Sequence, residues 1–398
     1  MFPQIKGLKK NIYLDHAATT PLDPEVKKAM EPFWHEKFGN PSSLYQKGRE
    51  AKLAIEDARN SIAGLIKARP SEIIFTAGGT ESVNLAIFGV ARMHPKAHIS
   101  TSKIEHHCVI ESFKVLSSEG YRTTLVDVDD KGFVDIQKLK KSVRPETVLI
   151  SVMYANNEIG TIEPISEIGR WLKGENKRRF AKHQSQIVFH TDACQAAGFL
   201  DLNVNKLGVD LMSVNGSKIY GPKQSGFLYV SSGTKLKPLI YGGGQENNLR
   251  SGTENVPGIA GFAKAFELAQ KNKDKESRRL LKLSDRIIKK IRKNIANIKL
   301  NGPEINNQRL PNNINLTIKG VEGEALMFYL DSYGISASTA SACSTGNIDP
   351  SHVLLAIGRS KKEAKSSIRF TLGKSTKKSD IDYLIKILPG LVKQIRKM

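Results

Sequence analysis

One lysine lies just beyond a predicted buried strand, in a position from which it can do chemistry. In DLMSVNGSKIYGPKQSG (210–226) a strand ends, and a short polar turn then places Lys218 outside it. A lysine held in such a turn can form a Schiff base when its surroundings keep the amine neutral. Most lysines of any chain are simply solvated, so this interpretation needs support from other segments.

Two other segments place a phosphate-binding turn and a carboxylate at strand ends. In FTAGGTESVNLAI (75–87) a strand leads into two glycines and Thr80, which open a helix whose free N–H groups suit a phosphate. In HTDACQAAG (190–198) Asp192 closes a strand, where a carboxylate can keep a heteroaromatic nitrogen protonated. Each segment alone is equally typical of a helix cap. Together with the lysine they are what pyridoxal phosphate requires.

The elements around these segments predict where they meet. Near-continuous apolar runs alternate with helix-like stretches, which is typical of a mostly parallel sheet covered on both faces. Ligands of such sheets bind at the carboxyl ends of the strands, so the lysine, the acid and the phosphate turn should converge there. The strand candidates are 72–76, 98–102, 123–128, 147–154, 186–192, 210–214, 226–231, 314–318 and 367–372.

A Gly- and Asn-rich segment, YGGGQENNLRSGTENVPG (241–258), marks a change in character. Two helical stretches, short strands and a last helix are predicted after it. We therefore expect a large domain over 16–256 and a smaller α+β domain over 257–398, to which residues 1–15 also belong.

Composition narrows the class of protein. The 398 residues are 39% hydrophobic and 25% charged, as in ordinary soluble globular proteins. The formal net charge of +22 comes from basic residues that are spread out and lack interleaved aromatic residues. We interpret them as a solvated surface rather than a nucleic-acid site. No apolar run suits a signal peptide or a membrane span, which favours a cytoplasmic enzyme.

The three cysteines form neither a disulfide framework nor a zinc ribbon, because they are widely spaced and contain no CxxC pair. Cys108 and Cys194 are predicted to be structural. The sequence EHHC (105–108) superficially suggests a metal cluster, but adjacent ligands diverge on regular backbone, so no metal site is predicted.

Ten segments, in order along almost the whole chain, resemble the cysteine desulfurase family of class V, fold-type I enzymes that use pyridoxal phosphate. The resemblance implies a large domain with a mostly parallel seven-stranded sheet and a smaller α+β domain. The ten segments are YLDHAATTPLDPEV (13–26), FGNPSS (38–43), FTAGGTESVNLAI (75–87), SKIEHHCV (102–109), NNEIG (156–160), HTDACQ (190–195), SKIYGPK (217–223), LRSGTEN (249–255), SACST (341–345) and SSIRFTLG (366–373).

The resemblance also implies which residues bind the cofactor. Lys218 would hold it covalently as a Schiff base, and His106 would stack on its pyridine ring. Asp192 would pair with the ring nitrogen, and Gln195 would contact the ring hydroxyl. The residues implied around the phosphate are Gly79, Thr80, Asn215, Ser217 and, from the other subunit of a homodimer, Thr253.

For the substrate, L-cysteine, the resemblance implies that Asn157 and Arg369 bind the carboxylate, with Asn157 also near the cofactor. A planar guanidinium on a strand suits a carboxylate, although an ion pair between domains is equally typical of such an arginine. Cys343 would take the sulfur as a persulfide and leave alanine. It lies in SASTASACSTGN (336–347), a run of small polar residues that predicts an exposed thiol.

The sulfur acceptor implied by the resemblance is an iron–sulfur scaffold or a tRNA-thiolation enzyme. Two other enzyme activities stay open: a selenocysteine lyase and another class V aminotransferase. A third hypothesis is a non-catalytic protein that uses its positive charge to bind RNA or an acidic partner.

The chain departs from the family pattern near both functional residues. Asn215-Gly216-Ser217 stands where the family usually has Ser-Gly-His, and Ala340 replaces a glycine before the SAC motif. The first change keeps hydrogen-bonding side chains, so we expect phosphate binding to persist. The second is expected to stiffen the segment before Cys343. Two further departures are Tyr45 and Asn247.

Overall fold

The computed structural model describes residues 11–339 and 349–397 of the chain. Its β-strands are β1 (Ile12–Tyr13), β2 (Ile73–Thr76), β3 (His98–Ser102), β4 (Arg122–Val126), β5 (Thr147–Ser151), β6 (Val188–Asp192), β7 (Leu211–Asn215), β8 (Gly226–Val230), β9 (Ile298–Leu300), β10 (Asn313–Ile318), β11 (Ile335–Ser336) and β12 (Ser367–Thr371). Its α-helices are α1 (Pro24–Met30), α2 (Pro32–His35), α3 (Gln46–Ile66), α4 (Gly79–Ala91), α5 (His107–Ser118), α6 (Ile136–Ser142), α7 (Ile165–Ala181), α8 (Val204–Leu207), α9 (Val256–Asn294), α10 (Gly323–Ser332), α11 (His352–Ala356), α12 (Lys361–Lys365) and α13 (Lys378–Ile395).

The central element is a seven-stranded sheet with the order β2-β8-β7-β6-β5-β3-β4. The strands from β7 to β4 run parallel, whereas β8 is antiparallel to both of its neighbours, β2 and β7. Because two antiparallel steps restore the direction, the carboxyl end of β2 lies at the same edge as those of β6 and β7. The predicted mostly parallel seven-stranded sheet is confirmed.

The sheet is buried on both faces because successive residues of a strand point to opposite sides. In β7, Met212 and Val214 pack into one apolar core, whereas Leu211 packs into another. Ile55 and Ile62 of α3 belong to the first core, and α4 supplies much of the second. Helices on both faces therefore hold the carboxyl ends of the strands in fixed positions.

The remaining strands form two smaller sheets. The order β12-β10-β9 gives an antiparallel three-stranded sheet, and β1 pairs in parallel with β11. Ile12 and Leu14, near the start of the described chain, are buried in one core with residues of α13. This arrangement supports assigning the first residues to the second unit, although the domain limits at 256 and 257 stay a prediction.

Helix α9 connects the two units. It spans 39 residues; Phe262 and Phe266 pack into a core of the large sheet, and Leu280, Ile287 and Ile291 pack into the core of the second unit. The expectation of two helical stretches after the Gly-rich segment was wrong. No proline or glycine interrupts the chain between Phe262 and the end of this helix, so nothing in the sequence breaks it.

Among the described residues, no helix has the length and apolar character needed to cross a membrane.

Candidate active site

The carboxyl edge of the large sheet borders a cavity of about 220 Å³. Asp192 closes β6 and Asn215 closes β7, while Gly79 opens α4 soon after β2. The cavity wall therefore collects most of the residues predicted from the sequence. The predicted residues on this wall are Gly79, Thr80, His106, Asn157, Asp192, Gln195, Asn215, Lys218 and Arg369.

The turn before α4 can take an anionic group. Gly78 has a φ of 134°, a conformation that side chains rarely adopt, and it brings the chain into the first turn of the helix. A Cβ added to Gly79 would lie 2.7 Å from the Sγ of Cys194, so only glycine fits there. The first turn of a 13-residue helix offers unpaired N–H groups and the positive end of the helix dipole. A phosphate matches this donor set.

Asn215 orients the turn that carries the lysine. Its Oδ1 accepts hydrogen bonds from the backbone N–H of Ser217 at 2.9 Å and from the Ser217 hydroxyl at 3.1 Å. Ser217 itself is not among the residues that line the cavity. Its hydroxyl is turned toward Asn215, so its contribution to phosphate binding stays a prediction.

Lys218 is held against the segment that precedes α1. It ends a short 3₁₀ turn, Gly216–Lys218, and its Nζ donates to the carbonyl of Ala18 at 2.5 Å. Thr20 donates both its N–H and its hydroxyl to the carbonyl of Ser217, at 2.9 and 3.0 Å. The Ala18 carbonyl therefore holds the amine, and Thr20 holds the turn that carries it.

Asp192 and His106 face the same cavity. The Asp192 side chain is buried, with the residue only 7% exposed, and its Oδ1 accepts the N–H of Cys194 at 2.9 Å. Burial lowers the pKa of His106, and the charge of Lys218 and His107 adds to this, whereas Asp192 opposes it. A neutral imidazole beside a buried carboxylate suits a flat heteroaromatic ring with a protonated nitrogen.

The guanidinium of Arg369 reaches the cavity from β12 of the second unit. Its Nη1 donates to the carbonyl of Asn157 at 3.0 Å, and its Nη2 pairs with Oδ1 of Asp15 at 2.8 Å. Its Nε is buried and has no hydrogen-bond partner among the described residues. An unsatisfied donor on a guanidinium that is 3% exposed favours a bound carboxylate at this position.

Sequence reasoning missed several residues of this site. Asp15 lies in the segment that matches the family, but nothing in its local pattern indicates a partner more than 350 positions away. Cys108 and Cys194, predicted to be structural, both line the cavity. Each lies two residues after a functional residue, His106 or Asp192, so this proximity was the available signal.

Two predicted residues lie elsewhere. Thr253 lines a different cavity, together with Phe75, Thr76 and Ala77 among others, and does not reach the wall around Lys218 within this subunit. Cys343 lies outside the described residues.

Comparisons with known proteins agree with this geometry. Residues 12–384 match the aminotransferase class-V family. A cysteine desulfurase IscS from Dictyoglomus turgidum is 51% identical over 391 residues, which cover 98% of this chain and 96% of that relative.

Two solved structures are similar over almost their full length. A NifS-like protein superimposes with a TM-score of 0.89 at 36% identity, covering 97% of this chain and 100% of that one. SspA in complex with cysteine superimposes with a TM-score of 0.77 at 35% identity, covering 91% of this chain and 99% of that one.

Proposed function

We propose that, in this member of the aminotransferase class-V family, Lys218 holds the cofactor and Cys343 receives the sulfur. The chain is a cysteine desulfurase that depends on pyridoxal phosphate. The observation that carries the first part of the proposal is the convergence of Lys218, Asp192 and the Gly79 turn on one cavity. These groups fit the amine, the ring nitrogen and the phosphate that the cofactor requires.

The substrate is L-cysteine, and each end of it has a matching group. When bound, pyridoxal phosphate supplies an electron sink for the substrate carbanion. Arg369 binds the carboxylate through its fork, with Nε as the unsatisfied donor. The Nζ of Lys218 removes the α-proton and later returns a proton to the product. The thiolate of Cys343 bonds to the substrate sulfur as the carbon–sulfur bond breaks, which leaves alanine and a persulfide.

The residues that flank Cys343 support its role. Ser338, five positions before Cys343, pairs with Arg369 through two backbone hydrogen bonds of 2.7 and 3.2 Å. Ser351, eight positions after it, donates its hydroxyl to Oε2 of Glu158 at 2.5 Å. In the sequence, Cys343 is therefore five positions from a residue that is paired with Arg369, the proposed ligand of the substrate carboxylate.

Replacing Arg369 by lysine should raise the KM for L-cysteine. The substitution keeps a positive charge but removes the planar fork, and hydrogen bonds to charged groups contribute about 1.5–3 kcal/mol. Steady-state kinetics of Arg369→Lys should therefore show KM raised about 10- to 100-fold. Arg286→Lys is the matched control, because Arg286 pairs with Asp382 on the second unit, outside the cavity. An unchanged KM in Arg369→Lys would remove Arg369 from substrate binding.

We also propose a homodimer in which Thr253 completes the phosphate site of the partner. The segment that carries Thr253 is held against two helices that flank the large sheet, since Glu246 pairs with Arg59 of α3 at 2.7 Å and Arg250 pairs with Glu81 of α4 at 3.0 Å. Exposed apolar side chains also favour association with a second copy. They are Phe38, Leu44, Tyr45 and Tyr241, which are 66%, 89%, 62% and 75% exposed.

Thr253→Ala should weaken cofactor binding although Thr253 does not line the cavity of its own subunit. Loss of one hydroxyl bond to a phosphate should raise the Kd for pyridoxal phosphate about 10- to 100-fold. Mixed dimers of Lys218→Ala and Thr253→Ala subunits distinguish the two arrangements. One site of such a dimer combines an intact Lys218 with the partner's intact threonine, so cofactor binding should recover at half of the sites. Binding that does not recover means that Thr253 acts within its own subunit.

We propose further that the acceptor is an iron–sulfur scaffold or a tRNA-thiolation enzyme in the cytoplasm. The formal net charge of +22 favours an acidic protein partner. Cys108 and Cys194 are free cysteines, which fits a reducing compartment. Sulfur transfer from the persulfide to candidate acceptors, followed with labelled L-cysteine, tests this proposal.

A further inference from the structure

One ring nitrogen of His106 receives two contacts from a single residue. His106 caps the N-terminus of α5, where its Nδ1 accepts the backbone N–H of Cys108 at 3.2 Å. The Sγ of Cys108 lies 3.0 Å from the same Nδ1. A backbone N–H can only donate, so Nδ1 must present its lone pair. The proton of the neutral ring therefore resides on Nε2.

The Cys108 side chain is a thiol rather than a thiolate. Burial, the largest cause, raises the pKa of Cys108, and the carboxylates of Asp192 and Glu105 raise it further. A thiol is a weak S–H donor, and among the described residues the acceptor that it meets is the Nδ1 lone pair. The thiol thus adds a second donor to the nitrogen that the backbone already engages.

The burial of His106 also favours its neutral form. Burial is the largest cause that lowers the pKa of His106, and Lys218 and His107 lower it further. Asp192 raises the pKa of His106; its influence is smaller than that of burial but larger than that of Lys218 or of His107. Protonation of Nδ1 would also make two donors, the ring N–H and the backbone N–H of Cys108, face each other, which is unfavourable.

We propose that Cys108 is a positioning residue that holds His106 as a neutral ring with its proton on Nε2. In this state Nε2 can donate a hydrogen bond into the cavity but has no lone pair with which to accept a proton. Proton transfer at the substrate then falls to Lys218, and the His106 ring serves in binding and orientation. This catalytic consequence rests on the proposed function, whereas the position of the ring proton does not.

Nitrogen NMR of the holoenzyme, with its histidines labelled with ¹⁵N, measures the tautomer directly. A His106→Gln variant assigns the two signals by their disappearance. In the unmodified protein we expect a pyridine-type signal for Nδ1 and a pyrrole-type signal for Nε2. A protonated Nδ1 at neutral pH would overturn the proposal.

Two substitutions separate the thiol from the backbone contact. Cys108→Ala removes the second donor and should let the ring bind a proton about 2- to 10-fold more tightly, so that its titration midpoint moves to higher pH. Cys108→Ser restores a donor and should return the midpoint toward that of the unmodified protein. The control is Cys194→Ala, because Cys194 lines the same cavity but directs its Sγ toward the carbonyl of Ser213, at 3.9 Å, instead of toward His106.

The outcomes are distinct. A titration of Cys108→Ala that matches the unmodified protein, or a Cys108→Ser variant that behaves like Cys108→Ala, overturns the role of the thiol. Neither the NMR signals nor the titration of His106 requires turnover of L-cysteine. The inference about Cys108 can therefore fail while the proposed desulfurase function stands, and the reverse is also possible. With L-cysteine as substrate, the rescue by Cys108→Ser should extend to the pH profile of kcat/KM.

Discussion

Lys218→Ala is expected to abolish the visible absorption of the cofactor Schiff base and to lower sulfide release from L-cysteine by about 10³- to 10⁴-fold. The variant loses both the covalent link and the amine that moves the α-proton. No second lysine lines the cavity, within the part of the chain that the structure describes. Absorption spectra after addition of pyridoxal phosphate, together with a sulfide assay, measure the two losses separately.

The matched control is Lys223→Ala, because Lys223 lies in the same segment but is exposed and does not line the cavity. It should keep both the colour and the activity. Circular dichroism shows whether Lys218→Ala is folded. If folded Lys218→Ala retained the Schiff-base band, another lysine would hold the cofactor and the assignment would be wrong.

Cys343→Ser is expected to keep the colour while persulfide formation stops. A serine hydroxyl is a far weaker nucleophile toward sulfur than a thiolate, so sulfide release should fall by at least about 100-fold. The cofactor band should be unchanged, because the residues proposed to hold the cofactor are intact. The variant therefore separates sulfur transfer from cofactor binding.

Mass spectrometry of the unmodified enzyme after L-cysteine should find one added sulfur on the peptide that contains Cys343. The other cysteine peptides are internal controls, since burial raises the pKa of both Cys108 and Cys194 and keeps them protonated. Sulfur on either of those peptides, or undiminished sulfide release by Cys343→Ser, would assign the acceptor role to another residue. Transamination products in place of alanine would favour one of the other class V activities.

The sequence predicted the large sheet well, because its strands carry strong local signals. The runs that form β2 and β8, for example, consist almost entirely of apolar or β-branched residues, and their limits differ from the predicted ones by at most one residue. The strands β1, β9 and β11 were not predicted. They contain only two or three residues, and their pairing depends on partners far away in the chain.

The residues of the site that lie at the ends of predicted strands could be predicted from the sequence. Asp192 and Asn215 close strands and Lys218 lies in the turn after one, and the rule that ligands bind at the carboxyl edge brings them together. The ion pair between Asp15 and Arg369 was not predictable, because it depends on how the second unit packs against the first. The contact of Cys108 with His106 depends on the cap geometry of α5, which residue types alone do not specify.

The continuity of helix α9 sets the spacing of the active site. Its 39 residues form a rod of about 58 Å that is embedded in both cores. Lys218 is carried by the unit into which the first part of the helix packs, and Arg369 of β12 by the unit into which the last part packs. Adding a single residue to the helix would rotate one unit against the other by about 100° and carry the guanidinium away from the amine. The helix thus fixes the position of Arg369 relative to Lys218.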